Sequence, residues 1–432
     1  MSVTRRDFLA SAASAGMALA APAVHGAEKN KKYRIALIGS GWWGKNILHA
    51  AIEAGQSQVV ALCDVDRQVL DAAAEDVEKR TGAVPKKYKD FRELLDKEKP
   101  EIVIVGTPDH WHPLVMIAAV QAGAHVYVEK PICHTVNEGK AMVQAARDAD
   151  RVVQVGTHRR ASPHNISAMK FIRDGKLGKI GMVRAFVHSG GGAGERTPDS
   201  DPPEGLDWDF WCGPAPLRPF NKKIHPKGFR GFLDYANGTL GDWGIHWLDQ
   251  ILWCMEEKYP KRVFSTGGRH IKQDNTDAPD TQVVSYQFDS FTVAWEHRQY
   301  AANNAEKHNI GCYFYGTEGT LHLGWLDGWT FYSVNKNKPP VHEEPKLHTP
   351  DNQNIPELWA DFLEAIKTNR RPMCDIELGH RSTSMSLLGM LSLKLGRSVQ
   401  WDGEKQLIVG DPEANKLLQR EYRAPWKYPT FA

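Results

Sequence analysis

A chain of 432 residues exceeds what one typical hydrophobic core supports, so two domains are expected. Apolar content of 41% and charged content of 25% belong to an ordinary globular protein. A net charge of +2, with no long run of one sign, excludes a nucleic-acid footprint and a polybasic membrane patch. The 14 Trp are a surplus. Indole faces stack on the C–H faces of sugar rings, which fits sugar binding, although the core is the commoner place for any single Trp.

Residues 1–27 read as a leader. Arg5 and Arg6 precede Phe8 and Leu9, an Ala/Ser/Gly stretch follows, and small residues close it near Ala23 and Ala27. The stretch is too short and too rich in alanine to span a bilayer. It resembles a twin-arginine export signal, which implies a periplasmic or secreted protein carried already folded through the twin-arginine translocon. No later stretch is long enough to span a membrane. The cysteines at 63, 133, 212, 254, 312 and 374 form no Cys-x-x-Cys, which excludes a zinc ribbon. Folding in the reducing cytoplasm predicts free, buried thiols.

From residue 28 to 156 short β-rich runs alternate with helical ones. "YRIALIG", "QVVALCDVD", "EIVIVGTP", "AHVYVEKP" and "RVVQVGT" read as strands separated by helices, the pattern of a doubly wound parallel sheet. Gly39-Ser40-Gly41-Trp42-Trp43-Gly44 falls between the first strand and the first helix. Gly39 permits the tight turn, Gly41 lets backbone approach a pyrophosphate, and Gly44 lets helix and strand pack. The helix N-terminus offers N–H groups to the phosphates. Asp64 closes the second strand, where an acid binds the ribose hydroxyls and repels a 2′-phosphate. NAD is therefore expected, with NADP disfavoured.

From residue 157 to 432 the texture changes to an α+β domain. "GMVRAFVHSGG" is a strand, followed by a long Gly/Pro/Trp-rich loop from Gly190 to Asn237. "RVFSTGG", "TQVVSYQF", "FTVAWEHRQY", "IGCYFYGTEGTLHL" and "GWTFYSV" then predict a large, mainly antiparallel sheet. Helices return at "PELWADFLEAIKTN" and "LGHRSTSMSLLGMLSLKLG".

Two segments carry candidate chemistry. Lys130 of "VEKP" ends a strand at the carboxyl edge of the first sheet, where open α/β folds bind ligands. In "GTLGDWGIHWLD", Asp242 and His246 stand four apart at an apparent helix start and share a face. They fit a base pair acting on a hydroxyl, two metal ligands, or a helix-terminal acid beside a satisfied histidine. His110-Trp111-His112 lacks a third ligand at a recognisable spacing, so no metal is expected. Trp208, Trp211, Phe220 and Tyr235 fit a sugar platform or the anchor of a long loop.

The landmarks "GSGWWG", "TPDHWH", "VEKP" and "GDWGIHWLD" occur in order, and with them the chain resembles the glucose–fructose oxidoreductase / inositol dehydrogenase (Gfo/Idh/MocA) family over nearly all of its length after the leader. The resemblance implies that Lys130, Asp242 and His246 surround a reacting carbinol. It implies a cofactor set of Gly39, Gly41, Trp42, Trp43, Gly44, Asp64, Thr107, Pro108, His112, Glu129 and Lys130. Around the sugar it implies Arg160, Trp208, Trp211 and Tyr235 beside Asp242 and His246. It further implies a cis peptide before Pro131 and dimers or tetramers built through the open sheet face. His110 and His158 depart from the commoner forms of their motifs. The expected activity is NAD-dependent hydride transfer at a sugar or polyol carbon. Two rivals stand beside it: redox-neutral glycoside cleavage through transient oxidation and elimination, and non-catalytic sugar binding on the same fold.

Overall fold

A computed structural model describes residues 31–303, 305–348 and 353–430, and the leader at 1–27 lies outside them. From Tyr33 onward the chain packs as one unit. Its first part alternates β1 (Tyr33–Ile38), α1 (Trp42–Glu53), β2 (Ser57–Cys63), α2 (Arg67–Thr81), β3 (Lys86–Tyr88), α3 (Phe91–Glu98), β4 (Ile102–Val105), α4 (His112–Gln121), β5 (His125–Val128), α5 (Val136–Asp148) and β6 (Val153–Val155). The strands pair in parallel, in the order β3-β2-β1-β4-β5-β6. Their near-continuous apolar runs follow from burial on both faces: Ile35, Leu37, Val103 and Val126 are fully buried. Local chemistry sets the helix starts. Asp66 accepts from the amides of Gln68 and Val69 at the head of α2, and Thr135 with Glu138 forms a capping box on α5.

The second part begins with α6 (Pro163–Arg173), β7 (Ile180–His188), the short α7 (Trp208–Cys212) and α8 (Ile245–Met255). Strands β8 (Arg262–Gly268), β9 (Thr281–Gln287), β10 (Thr292–Arg298), β11 (Ile310–Gly316), β12 (Gly319–Gly324), β13 (Trp329–Ser333) and β14 (Val341–Glu343) follow. The chain closes with α9 (Ile355–Thr368), α10 (Ile376–Leu395), β15 (Val399–Asp402), β16 (Leu407–Ile408) and α11 (Pro412–Lys416). These strands form one sheet, β14-β13-β12-β11-β7-β10-β9-β8-β15-β16, antiparallel except where β7 lies parallel to β10. Helices α8 and α10 pack on the sheet and α10 reaches back to α5, joining the two halves. Short β3, β14, β15 and β16 escape sequence reading because two to four residues carry no period.

All six cysteines are free and buried. Among the described residues no helix is long and apolar enough to cross a membrane. The segment after α11 runs back as a strap. Arg420 and Tyr422 both donate to buried Glu138 on α5 (3.1 and 2.8 Å). Arg423 donates to the carbonyls of Gly213 and Ala215 (3.1 and 3.2 Å) and to Asp209 (2.8 Å). Trp426 packs on Trp111 and Phe210, with ring centroids 4.7 and 5.5 Å away.

Candidate active site

A cavity of about 850 Å³ runs from the carboxyl edge of the parallel sheet to the second domain. Its near end is the glycine turn after β1. Gly39 has φ +89°, and a Cβ there would stand 2.5 Å from backbone atoms of Gly106 and Thr107. A Cβ on Gly44 would overlap the Gly39 carbonyl oxygen, whereas one on Gly41 meets nothing within 4 Å. The turn is thus closed behind and open in front of α1, as a pyrophosphate requires. Asp64 accepts from the amides of Ser40 (2.8 Å) and Asp66 (2.9 Å) at the cavity wall. Burial pushes its carboxyl up to about 6. Trp42 is exposed under the Lys227 ammonium, and Trp43 is half-buried.

Thr107, Pro108 and His112 follow β4 along the wall. The His112 nitrogens lie 2.8 Å from the carbonyls of Pro131 and Thr107, stapling two loops, and burial holds the ring down at about 4. His110 Nε2 and Trp111 Nε1 both meet the Trp211 carbonyl (3.0 and 2.9 Å), so this loop supports the wall. Glu129 is buried, receives Tyr127 Oη at 3.3 Å, and burial raises its carboxyl.

Beyond it the Lys130–Pro131 peptide is cis. Lys130 Nζ donates to Asp242 Oδ1 and to its carbonyl, both at 2.9 Å. Arg230 Nε reaches the same Oδ1 at 3.2 Å. Burial opposes ionisation of Asp242, but Lys130 and Arg230 outweigh it and bring the carboxyl down to about 2. Asp242 sits on a π-helical turn, Leu240–Gly244, that leads into α8, in place of the regular helix start the sequence suggests. That wider turn brings Asp242 and His246 to one cavity. His246 packs against His158 (5.4 Å), Trp325 (5.0 Å) and Trp243 (6.3 Å), and its buried Nδ1 has no hydrogen-bond partner among the described residues. Burial first, then the charges of Lys130 and Arg159, hold its protonation well below the usual histidine range. A neutral imidazole beside a lysine, in a walled cavity, suits proton abstraction from a hydroxyl.

Three sequence candidates have other work. Trp208 and Tyr235 lie inside a separate apolar cluster with Phe220, Phe229 and Phe232, where large rings anchor the 190–237 loop. Trp211 belongs to that cluster and shows one side to the cavity. Arg160 is buried away from it, paired with Asp249 at 2.7 and 2.9 Å. In their place the cavity wall takes Asp109, Arg230, Trp243 and Trp325, which sequence reading passed over. Asp109 stands inside the "TPDHWH" landmark, the one signal that pointed to it. Burial, with Asp242 adding to it, pushes its carboxyl up to about 7 against the pull of Arg230 and Lys130. Behind Trp325 the buried Arg159 guanidinium stacks 3.6 Å from the ring centre, with no hydrogen-bond partner among the described residues.

A Gly-turn Rossmann half facing an α/β half, with a lysine and a histidine at the junction, fits a dinucleotide laid beside a second ligand. The chain belongs to the Gfo/Idh/MocA oxidoreductase family: its NAD-binding Rossmann model matches residues 33–157 and its C-terminal alpha/beta model matches residues 181–428. The matched N-terminal model is an NAD-binding Rossmann fold. Levoglucosan dehydrogenase of Pseudarthrobacter phenanthrenivorans is 28% identical over 228 residues, 52% of this chain and 51% of that protein. The alpha-N-acetylgalactosaminidase of Shewanella oneidensis is 26% identical over 167 residues, 38% of this chain and 36% of that protein. The matches thus span about half or less of these relatives. Among solved structures, levoglucosan dehydrogenase with NADH and levoglucosan superposes with TM-score 0.67 at 20% identity, covering 86% of this chain and 99% of that one. Aldose-aldose oxidoreductase from Caulobacter crescentus gives 0.65 at 22%, covering 86% and 100%. Both establish the fold.

Proposed function

We propose that this protein oxidises and reduces a sugar or polyol carbinol with a firmly held NAD. The observation that carries the reading is the Lys130–Asp242–His246 cluster at the end of the cavity that begins at the glycine turn. NAD, when bound, supplies the acceptor for the hydride that leaves the carbinol carbon. His246 takes the hydroxyl proton as the carbon–hydrogen bond breaks. Lys130 donates to the same oxygen and stabilises the alkoxide charge that develops there. Asp242 holds the Lys130 ammonium in place. Sugar dehydrogenases among the relatives support this reading.

A second reading is favoured by the glycosidase relatives. In it the same groups oxidise the sugar transiently, eliminate the aglycone and restore the carbinol, with no net redox change. Purified protein incubated with a glycoside panel separates the two, by following cofactor absorbance and released sugar together. Net absorbance change without release supports the first, and release without net change the second. Neither signal on any glycoside or aldose overturns both.

The leader adds a condition to the proposal. Export of a folded protein would carry the cofactor out of reach of cytoplasmic recycling, so reduction and reoxidation would alternate in one site. Denaturing the exported protein should then release about one nucleotide per chain. An empty site with activity strictly dependent on added NAD would overturn retention. Dimers through the open sheet face belong to the same proposal. Met182, Phe264 and Val283 are exposed there, on one face by strand register, as Phe264 pairs Ser285 and Val283 pairs Glu296. Light scattering reads the outcome.

A further inference from the structure

On the large sheet two histidines and an aspartate converge. His322 lies in the middle of β12, opposite Tyr313 of β11, and through it in line with Arg184 of β7 on the open face. His308 precedes β11, and Asp327 occupies the turn between β12 and β13. His308 Nδ1 stands 3.1 Å from Asp327 Oδ2, and His322 Nδ1 stands 3.9 Å from the same oxygen. All three donor atoms fall within 4.8 Å of one another. The two imidazoles lie face to face, 3.7 Å between centroids and 22° between planes.

Three features separate this cluster from an ordinary ion pair. The His322 side chain is only 2% exposed, yet its Nε2 has no hydrogen-bond partner among the described residues. A buried ring nitrogen left idle is costly unless something else uses its lone pair. The space is also carved by backbone. Gly311 and Gly324 are partners in the β11–β12 register. A Cβ on Gly311 would stand 2.5 Å from His322 Nε2, and one on Gly324 would overlap Asp327 Oδ1. This pair of glycines lets His322 sink into the sheet surface and leaves room for the exposed Asp327 carboxylate beside it. Lastly, the nearest cation, Lys307, is engaged elsewhere, its Nζ on Tyr332 Oη at 2.7 Å. The other comparable trio, His188 with Glu296 and Glu306, is already bonded to Arg184 and Arg298, which leaves no room for a metal's charge.

We infer that His308, His322 and Asp327 form a binding site for a divalent transition-metal ion of the zinc class. Two imidazole nitrogens and a carboxylate oxygen are the donor set that zinc favours. Bonds of about 2.0–2.2 Å in a tetrahedron hold ligands roughly 3.4 Å apart, and because an ion lies in the plane of each ring that ligates it, binding swings the His308 ring out of its stack on His322. A fourth position stays open to water. The ion ties the residue before β11 to the β12–β13 turn, and Trp325, two residues before Asp327, is the cavity wall beside His246. Bound metal therefore clips the turn that carries this wall.

The test uses full-length protein freed of metal with a chelator and titrated with Zn²⁺ by calorimetry, then with Co²⁺ by visible absorption. One equivalent should bind, with a Kd in the micromolar range or tighter, and Co²⁺ should give the intense d–d bands of a tetrahedral N/O site. His308→Gln and Asp327→Asn should each weaken binding at least 10-fold and abolish those bands. Both residues lie outside strands, and unfolding midpoints without metal check that each variant is folded. Gly311→Ala, whose Cβ crowds His322 at Nε2, is the second route and should also weaken Zn²⁺. Absence of saturable Zn²⁺ uptake overturns the site. So does uptake that all three variants retain unchanged.

Discussion

Burial and two neighbouring cations keep His246 unprotonated, and Lys130 Nζ rests on Asp242 in the same cavity. Replacing His246 or Lys130 by Ala should lower turnover by on the order of 10²-fold or more, with nucleotide affinity nearly unchanged. Turnover by single-turnover kinetics and affinity by fluorescence titration read the two parts separately. Asp109 offers a prediction in stability. Its folded carboxyl titrates at about 7, above its ordinary value of 3.8, so the native state holds a proton that the unfolded chain has lost. Stability from this residue is complete below about pH 4 and falls as pH rises towards 7. Asp109→Asn mimics the protonated form. It should raise the melting temperature by about 2–4 °C at pH 8 and leave it unchanged near pH 4, as thermal scans across pH would show. Asp242 has the opposite sign: its contribution is present above pH 4 and lost as pH falls towards 2.

At the scale of elements, what the sequence revealed was whatever is local. The glycine turn sits within six residues of β1, Lys130 follows β5 by two residues, and Asp242 is four residues from His246, so local spacing made these residues candidates and the family resemblance gave them their roles. Residues whose place depends on distant partners stayed hidden. Arg230 reaches Asp242 from a loop that sequence period does not describe, and Trp325 arrives from a turn between two strands. Arg160, placed at the sugar by the family resemblance, also depends on a distant partner: Asp249 on α8 holds it away from the cavity. Removing that partner leaves a buried charge alone, so Asp249→Asn should cost about 3–5 kcal/mol of stability by denaturant unfolding, with the cavity residues untouched. His308, His322 and Asp327 were equally invisible, because residues 14 and 5 positions apart meet only across a β-hairpin.

For the whole molecule, two folds laid end to end account for less than the contacts between them. Helix α10 spans both halves, and the strap after α11 touches α5, the 190–237 loop and the loop after β4. A chain ending at Lys416 should keep its parallel sheet and bind NAD within about 10-fold of the full chain. It should lose the aromatic stack on Trp111 and open the 190–237 loop to protease, which limited proteolysis would detect.

The strap also sets an order of events during synthesis. A ribosome releases the parallel sheet first, and that part has every strand it needs by residue 155. The loop bearing Arg230 follows, yet its footing on Trp426 and Arg423 does not exist until some 190 residues later. A nascent chain therefore carries the glycine turn and its parallel sheet long before the 190–237 loop has its footing, and the wall built on that loop is the last part of the cavity to be braced.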